Sequence, residues 1–384
     1  MRELAISAYL LGFKFLFTCF KSLPIKNKVT FLISFPENPK YIFEEMKRQK
    51  IDLQSIFLCH NRIFHDFKQQ HQPTYRVESK NLLHTLIGIY HLATSKQIIA
   101  DNYYGFLAVT NFKKGVKCTQ IWHSVGAIKQ FGIMDPTNKN RHPRALKRFK
   151  KVYNRFDQYV IGSEEMANIF KKAFLATDAT FIKTGVPRTD FFFDYKRHEY
   201  VKKMQQDNSS LKDKKVILYA PTFRRSDGFD NRVVLDLLMM YEELKEEYVL
   251  LIKLHPSIKL DLQMDEKLRE FVFDYSDYSD INELLIITDI LITDYSSIPM
   301  EFVLLKRKMI FFAYDLADYE LEVGLWEKYE SSVPGIVAKN TDEIINEILN
   351  GSTDYELLDG YARKWTEFCQ GNASEQVVKI LFNT

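Results

Sequence analysis

Short apolar runs recur along the chain from Val29 onward, separated by longer stretches with helical spacing, as an open α/β sheet requires. In the second half they are continuous β-branched and aromatic runs of four to six residues, the pattern of strands buried on both faces of a parallel sheet. The first series is VTFLISF (29–35), LQSIFL (53–58), KQIIAD (96–101), VKCTQIW (116–122), QYVIG (158–162) and TFIKTG (180–185). Helical patterns at 39–49, 79–92, 143–155 and 163–175 lie between them. After a polar stretch at 195–214, broken at Asn208-Ser209-Ser210, a second series begins. It reads KVILYA (215–220), YVLLIK (248–253), FVFD (271–274), ILIT (290–293), MIFFAY (309–314) and GIVA (335–338), with helices expected at 233–247, 298–307, 341–350 and 355–382. Strands alternating with helices twice over predict an α/β protein of two Rossmann-like domains facing a central cleft. The expected boundaries are a helix at 1–24, a first domain at 25–200 and a second at 201–384.

Composition fits that size. The 384 residues are 46% apolar and 27% charged, enough for two full cores at roughly 100 to 200 residues per domain. Disorder and small disulfide scaffolds are excluded. Cys19, Cys59, Cys118 and Cys369 lie far apart with no zinc or redox spacing, which suits a reducing compartment. The net charge is +3, yet residues 113–155 hold twelve Lys/Arg against one Asp, so this stretch carries +11 and the rest of the chain about −8. A localised basic face calls for an anionic partner. Leu4 to Phe20 is apolar over seventeen residues, interrupted by Lys14 and followed by Lys21, Lys26 and Lys28. Two readings stand together: an interfacial helix on an anionic cytoplasmic leaflet, or a buried amphipathic helix.

There is no GxGxxG after the first strand, no GxxxxGK[ST], no HExxH and no GxSxG. Nicotinamide dehydrogenases, P-loop NTPases, zincins and α/β-hydrolases therefore lack support. Nucleic-acid binding lacks a module signature too. In doubly wound sheets ligands bind beyond the carboxyl ends of the strands, and four polar clusters fall there. Trp122-His123-Ser124-Val125-Gly126-Ala127-Ile128-Lys129 offers an imidazole as proton acceptor, small residues where a ligand approaches the backbone, and a lysine for a phosphate. Pro221-Thr222-Phe223-Arg224-Arg225 offers a hydroxyl and guanidinium forks matched to phosphate. Lys253-Leu254-His255-Pro256-Ser257 sets a histidine at a strand tip. Thr293-Asp294-Tyr295-Ser296-Ser297-Ile298-Pro299 reads as a helix start with Ser297 as N-cap, where backbone N–H groups and two hydroxyls meet a diphosphate. Each histidine alone also has a structural reading; their joint occurrence with the other clusters is the informative signal.

In order, Ile121-Trp122-His123 with Gly126 and Lys129, ILYAPTFR (217–224), KLHPS (253–257), SDYSDINELLIITDILITDYSSIPMEF (276–302), FFAYDLADYE (311–320) and Pro334-Gly335 resemble the motifs of the CDP-glycerol glycerophosphotransferases of teichoic acid synthesis. The likeness spans roughly residues 29–380. The segment WHSVGAIKQFG, where polymerases of the family carry WHGTPLK, together with SFPENPK (34–40) and DNYY (101–104), is more similar to the primase branch. Ser124 in place of the polymerase glycine bears on the shape of that loop.

The resemblance implies a GT-B fold, CDP-glycerol as donor and no metal or other cofactor. It implies His123 as the acceptor-side base and His255 at the donor phosphate, with Thr222, Arg224, Ser296 and Ser297 near the donor; Lys129 and Asp294 join them as substrate-binding candidates. The implied reaction is attack by a sugar hydroxyl of undecaprenyl-diphosphate-linked N-acetylmannosaminyl-N-acetylglucosamine on the glycerol-bearing phosphorus, releasing CMP, by a peripheral enzyme on the cytoplasmic face of the membrane. Polymerisation of glycerol or ribitol phosphate, a GT-B glycosyltransferase using a nucleotide-sugar, and a non-enzymatic lipid-diphosphate-binding protein are the alternatives, separated by the product released.

Overall fold

The computed structural model describes residues 1–71, 73–224, 233–255 and 266–382. Arg225, Pro256 and Ser257 lie outside the described residues. The chain divides into two compact units: Met1–Val125 with Gln130–Asp190 and Glu367–Thr384, and Gly126–Lys129 with Phe191–Thr366.

The first unit holds a seven-stranded parallel sheet: β1 (Lys26–Ile33), β2 (Gln54–Cys59), β3 (Thr74–Arg76), β4 (Ser95–Ala100), β5 (Lys117–Gln120), β6 (Gln158–Ile161) and β7 (Thr180–Lys183), in the order β3-β2-β1-β4-β5-β6-β7. The chain starts at β1, runs outward to β3, then crosses back to β4, so the connectivity reverses between β1 and β4. In doubly wound sheets such a reversal is where ligands bind, beyond the carboxyl ends of the strands. Phe31, Phe57, Ile99 and Val160 fill the core on the sheet, joined by Ile42 and Met46 from the helix Glu37–Arg48. β3 has no counterpart among the expected strands; its three residues are too few to show an alternating or continuous apolar run.

The second unit repeats the design with six strands among the described residues: β8 (Lys215–Ala220), β9 (Tyr248–Ile252), β10 (Val272–Asp274), β11 (Ile290–Thr293), β12 (Lys308–Phe312) and β13 (Val337–Ala338). Their order is β10-β9-β8-β11-β12-β13, again all parallel, with the reversal between β8 and β11. Ile217, Leu250, Ile292 and Ile310 form the centre of its core.

Three sequence expectations need correction. The boundary falls at Asp190/Phe191 rather than 200/201, and the stretch 195–214 is no linker: Arg197–Asp207 is a helix packed on the helix Ile281–Ile287. The single helix expected at 355–382 is two, Tyr355–Thr366 and Ala373–Phe382, separated by Gly371 at φ 79°. The last helix belongs to the first unit, where Val377 and Val378 enter the core and the Asp190 carboxylate accepts the N–H groups of Ala373 and Ser374 at 2.8 Å each.

The N-terminal helix Arg2–Lys21 is neither free nor buried. Phe13 and Phe17 dock it against the first unit, Phe13 stacking on Phe106 at 4.9 Å and Phe17 meeting Phe112 edge-on at 5.7 Å. Glu3 adds an ion pair with Arg148 at 3.2 Å. Leu4, Leu11 and Phe15 on its other faces are exposed. By length and composition the helix is apolar enough to cross a membrane. The segment 1–24 is thus part of the first unit rather than a separate piece.

Candidate active site

At the first switch point β1 is followed by Ser34-Phe35 and β4 by Asp101. Asp101 is fully buried, and its carboxylate accepts the Ser34 N–H at 2.8 Å, the Phe35 N–H at 2.7 Å and the Tyr104 hydroxyl at 2.9 Å. Burial pushes its acid up to about 7 against the pull of these donors. The aspartate therefore clamps the loop after β1 to the end of β4.

His123 sits one strand further on, beyond β5. Its Nδ1 lies 3.0 Å from the main-chain carbonyl of Asp101. A carbonyl oxygen only accepts, so Nδ1 carries the proton, and in the neutral ring Nε2 is left as a lone-pair acceptor. Phe35 stacks on the imidazole at 4.2 Å and 20°, while Trp122 lies against it at 4.2 Å. Burial among these rings draws its pKa down to about 4; the carbonyl opposes this and the charge of Arg188 adds to it. At neutral pH the ring is therefore uncharged.

Backbone geometry at Trp122 makes that placement. Its φ is 51°, a left-handed conformation that a bulky residue adopts only where its surroundings hold it. Gln120 Oε1 accepts the Trp122 N–H at 3.0 Å, Asn38 Nδ2 donates to the Trp122 carbonyl at 2.9 Å, and the indole stacks on Phe131 at 5.1 Å. Arg188 completes the frame, its N–H on Asn38 Oδ1 at 3.0 Å and its Nη1 on the His123 carbonyl at 3.3 Å. Asn38, Asp101 and Arg188 were not singled out as site residues from sequence. The first two lie in SFPENPK and DNYY, whereas Arg188 carries no local signal.

In the second unit β8 ends before Thr222 and β11 before Asp294. Asp294 Oδ1 accepts the N–H groups of Thr222 at 2.8 Å and Tyr295 at 2.7 Å, closing this switch point as Asp101 closes the first. Arg224 differs from its expected role. It is 4% exposed, with Nε and Nη2 on the Asp315 carboxylate at 2.7 and 3.0 Å, Nη2 on Asp294 at 2.9 Å and Nη1 on the Thr222 carbonyl at 2.6 Å. Its guanidinium lies over Tyr295 at 5.0 Å and Tyr319 at 4.9 Å, two rings themselves stacked at 3.8 Å. Desolvation opposes its charge, but the bonds to Asp315 and Asp294 outweigh it and hold the pKa above the ordinary arginine value. Arg224 and Asp294 thus brace the loop, with their charges spent on each other rather than aimed at a phosphate. Asp315 and Tyr319, the partners that reveal this, stand 91 and 95 positions along the chain from Arg224.

His255 is exposed at the end of β9 and stacks on Phe223 at 4.7 Å, which joins it to the Thr222–Arg224 loop. Lys253 fixes the strand end below it by donating to the carbonyls of Ser276 at 2.6 Å and Tyr278 at 2.7 Å. Ser296 and Ser297 are half-buried after β11. The expected N-cap at Ser297 is corrected: Ser296 Oγ accepts the Ile298 N–H at 3.2 Å, and the Ser297 carbonyl accepts the Met300 N–H at 3.1 Å. The helix that follows is four residues, Pro299–Phe302, and gives way to a 3-10 turn ending at Lys306, φ 53°. So short a helix has little dipole to offer an anion.

Gly126–Lys129 is likewise reassigned. It packs in the second unit, where Ile128 accepts the Trp326 N–H at 3.0 Å and Lys129 pairs with Leu325. A Cβ at Gly126 would stand 2.3 Å from Trp365 and 2.6 Å from the Met300 sulfur. The glycine admits protein packing, not a ligand. Lys129 Nζ lies 5.6 Å over Tyr319, so this side chain joins the Arg224 cluster. Among the described residues, no three His, Cys, Asp or Glu side chains gather as metal ligands do.

Two doubly wound parallel sheets, each with a polar cluster at its switch point, define a GT-B-like fold, similar to that of the wall teichoic acid polymerase TagF (TM-score 0.77, 22% identity, 99% of this chain and 96% of that one). The chain belongs to the CDP-glycerol:poly(glycerophosphate) glycerophosphotransferase family, whose model matches residues 15–383. It is 37% identical to the teichoic acid glycerol-phosphate primase of Bacillus subtilis, over 93% of this chain and 92% of the relative. The corresponding primase of Bacillus spizizenii is 33% identical over 92% of both.

Proposed function

We propose that this glycerophosphotransferase is a primase. It moves glycerol phosphate from CDP-glycerol to a hydroxyl of undecaprenyl-diphosphate-linked N-acetylmannosaminyl-N-acetylglucosamine at the cytoplasmic membrane surface. The observation that carries the chemical part is the fixed tautomer of His123: Nδ1–H on the Asp101 carbonyl, Nε2 unprotonated. The acceptor hydroxyl gives its proton to Nε2 as its oxygen bonds to the glycerol-bearing phosphorus. The bond from that phosphorus to CMP breaks, and CMP leaves as the anion. General-base assistance of this kind contributes roughly 10² to 10⁴ in rate. His255 and the Ser296/Ser297 turn are the groups assigned to the donor phosphates, where charge builds on the leaving group. Arg224 and Asp294 act on the donor indirectly, by holding the Thr222 loop; Lys129 is assigned to the same side.

The primase assignment draws on the two similar primases, and the membrane assignment on the exposed apolar face of Arg2–Lys21. The reaction is taken to need no metal. Incubation with CDP-glycerol and the lipid-linked disaccharide in the presence of EDTA, followed by mass spectrometry, is expected to give CMP and a gain of a single glycerol phosphate. A ladder of glycerol phosphates would make the enzyme a polymerase. A released nucleoside diphosphate would make it a glycosyltransferase, and binding without turnover a lipid-binding protein.

A further inference from the structure

A second polar site lies on the carboxyl edge of the first sheet. Beyond the ends of β2 and β3, a cavity of about 580 Å³ is lined by His65, Arg76, Ser79, Lys80 and Asn81, with Glu78 as the acidic member. Arg76 is held ready: its guanidinium lies 4.3 Å over Phe64, and its Nη2 donates to His65 Nε2 at 2.9 Å. Its main-chain N–H donates to His84 Nδ1 at 2.8 Å, which fixes the strand end. Glu78 is engaged by the Gly105 N–H. Arg76 and Glu78 also border a narrow apolar seam that runs under Tyr9 and Phe13 of the N-terminal helix and Ile89 and Leu92 of the helix Leu82–Thr94. Directly after the cavity, Leu82, Leu83 and Leu86 are exposed, and Leu4, Leu11 and Phe15 are exposed on the neighbouring N-terminal helix.

A cationic pocket next to exposed leucines has the polarity of a phosphate joined to a hydrocarbon chain. We infer that this cavity binds the diphosphate of the lipid-linked acceptor, with the lipid lying over Leu82, Leu83 and Leu86; this rests on the transfer reaction proposed above. Position decides between that ligand and a bulk anionic lipid. The cavity and His123 lie on the same edge of one sheet, three to four strands apart in the order β3-β2-β1-β4-β5, which is about 14 to 19 Å at the usual strand spacing. A diphosphate carrying two extended sugar rings covers that reach, so its terminal hydroxyl arrives at the base while its phosphates stay in the cavity. A phospholipid headgroup has no reason to be placed there.

Binding is tested on the full chain with neutral phosphatidylcholine vesicles that carry polyprenyl diphosphate, polyprenyl alcohol or phosphatidylglycerol. Arg76→Gln and the exposed-site variant Lys80→Glu are each expected to weaken binding to the diphosphate vesicles by about tenfold or more, the effect of removing one charged hydrogen-bond partner. Binding to the alcohol vesicles should be unchanged. In transfer assays the same variants should raise KM for the lipid acceptor and leave KM for CDP-glycerol nearly alone. Equal losses on phosphatidylglycerol and diphosphate vesicles would overturn the inference in favour of a general anionic surface, as would unaltered binding by Lys80→Glu. If the wild type binds diphosphate vesicles selectively but transfers nothing from CDP-glycerol, the pocket stands and the reaction assignment fails.

Discussion

Both sheets solve the same problem at their switch points with a buried aspartate. Asp101 ties down Ser34 and Phe35; Asp294 ties down Thr222 and Tyr295. Their counterpartners differ. Asp101 is met by N–H groups and a tyrosine hydroxyl, and the imidazole placed beside it is packed between two rings. Asp294 is met by a guanidinium shared with Asp315, and the histidine nearby is exposed and stacked on Phe223. Neutral partners leave the charge state of the His123 imidazole to burial, whereas the internal ion pair balances within the protein the charges that brace the Thr222 loop.

Removing His123, the proposed base, should have the largest effect. His123→Ala is expected to lower the transfer rate by roughly 10² to 10⁴ with unchanged circular dichroism; near-normal turnover would remove His123 from the chemistry. In the wild type, loss of rate through protonation of His123 should set in as pH approaches about 4, not near the ordinary histidine value, because the folded ring resists charging. A pH–rate profile whose acid limb lies near 6.5 and persists in Asp101→Asn would contradict the buried geometry.

Next in size is the ion-pair brace. Arg224→Met leaves Asp294 and Asp315 buried without their cation, and is expected to cost about 3 to 5 kcal/mol in urea unfolding. Asp101→Asn should cost less, about 1 to 3 kcal/mol, since one amide oxygen still accepts while its NH₂ faces a former donor. The pH dependence separates the two devices. The Asp101 acid is raised to about 7 in the folded state, so between about 4 and 7 the native form holds the proton that the unfolded form has lost, and stability falls as pH rises through that window. His123, lowered to about 4, acts oppositely below 6.5. Asp101→Asn should therefore make stability rise more steeply from pH 4 to 6.5 than in the wild type; parallel curves would show that Asp101 does not titrate there.

The smallest effect distinguishes two adjacent serines. Ser296→Ala loses the bond to the Ile298 N–H and should cost about 1 kcal/mol, as for a helix cap, whereas Ser297→Ala should stay within about 0.5 kcal/mol of the wild type. The reverse order would restore Ser297 as the capping residue.

Much of the architecture is local information. Continuous apolar runs such as YVLLIK and ILIT pointed to strands buried on both faces, the pattern of a parallel sheet covered by helices. Their alternation with helices dictated two doubly wound units, and strand-end position made His123, His255, Thr222 and Asp294 visible. What each polar group does was decided by residues far away in sequence. Arg224 reads as a phosphate fork until Asp315 and Tyr319 close around it; Gly126 reads as room for a ligand until Trp365 and Met300 occupy that room. His123 reads as a strand-end imidazole with no assigned tautomer until the Asp101 carbonyl selects it. Strand formation depends on the pattern of neighbours along the chain, which a sequence displays directly. Protonation, pairing and burial depend on which distant groups the packed sheets bring within hydrogen-bond distance, and for these residues only the tertiary structure decides that.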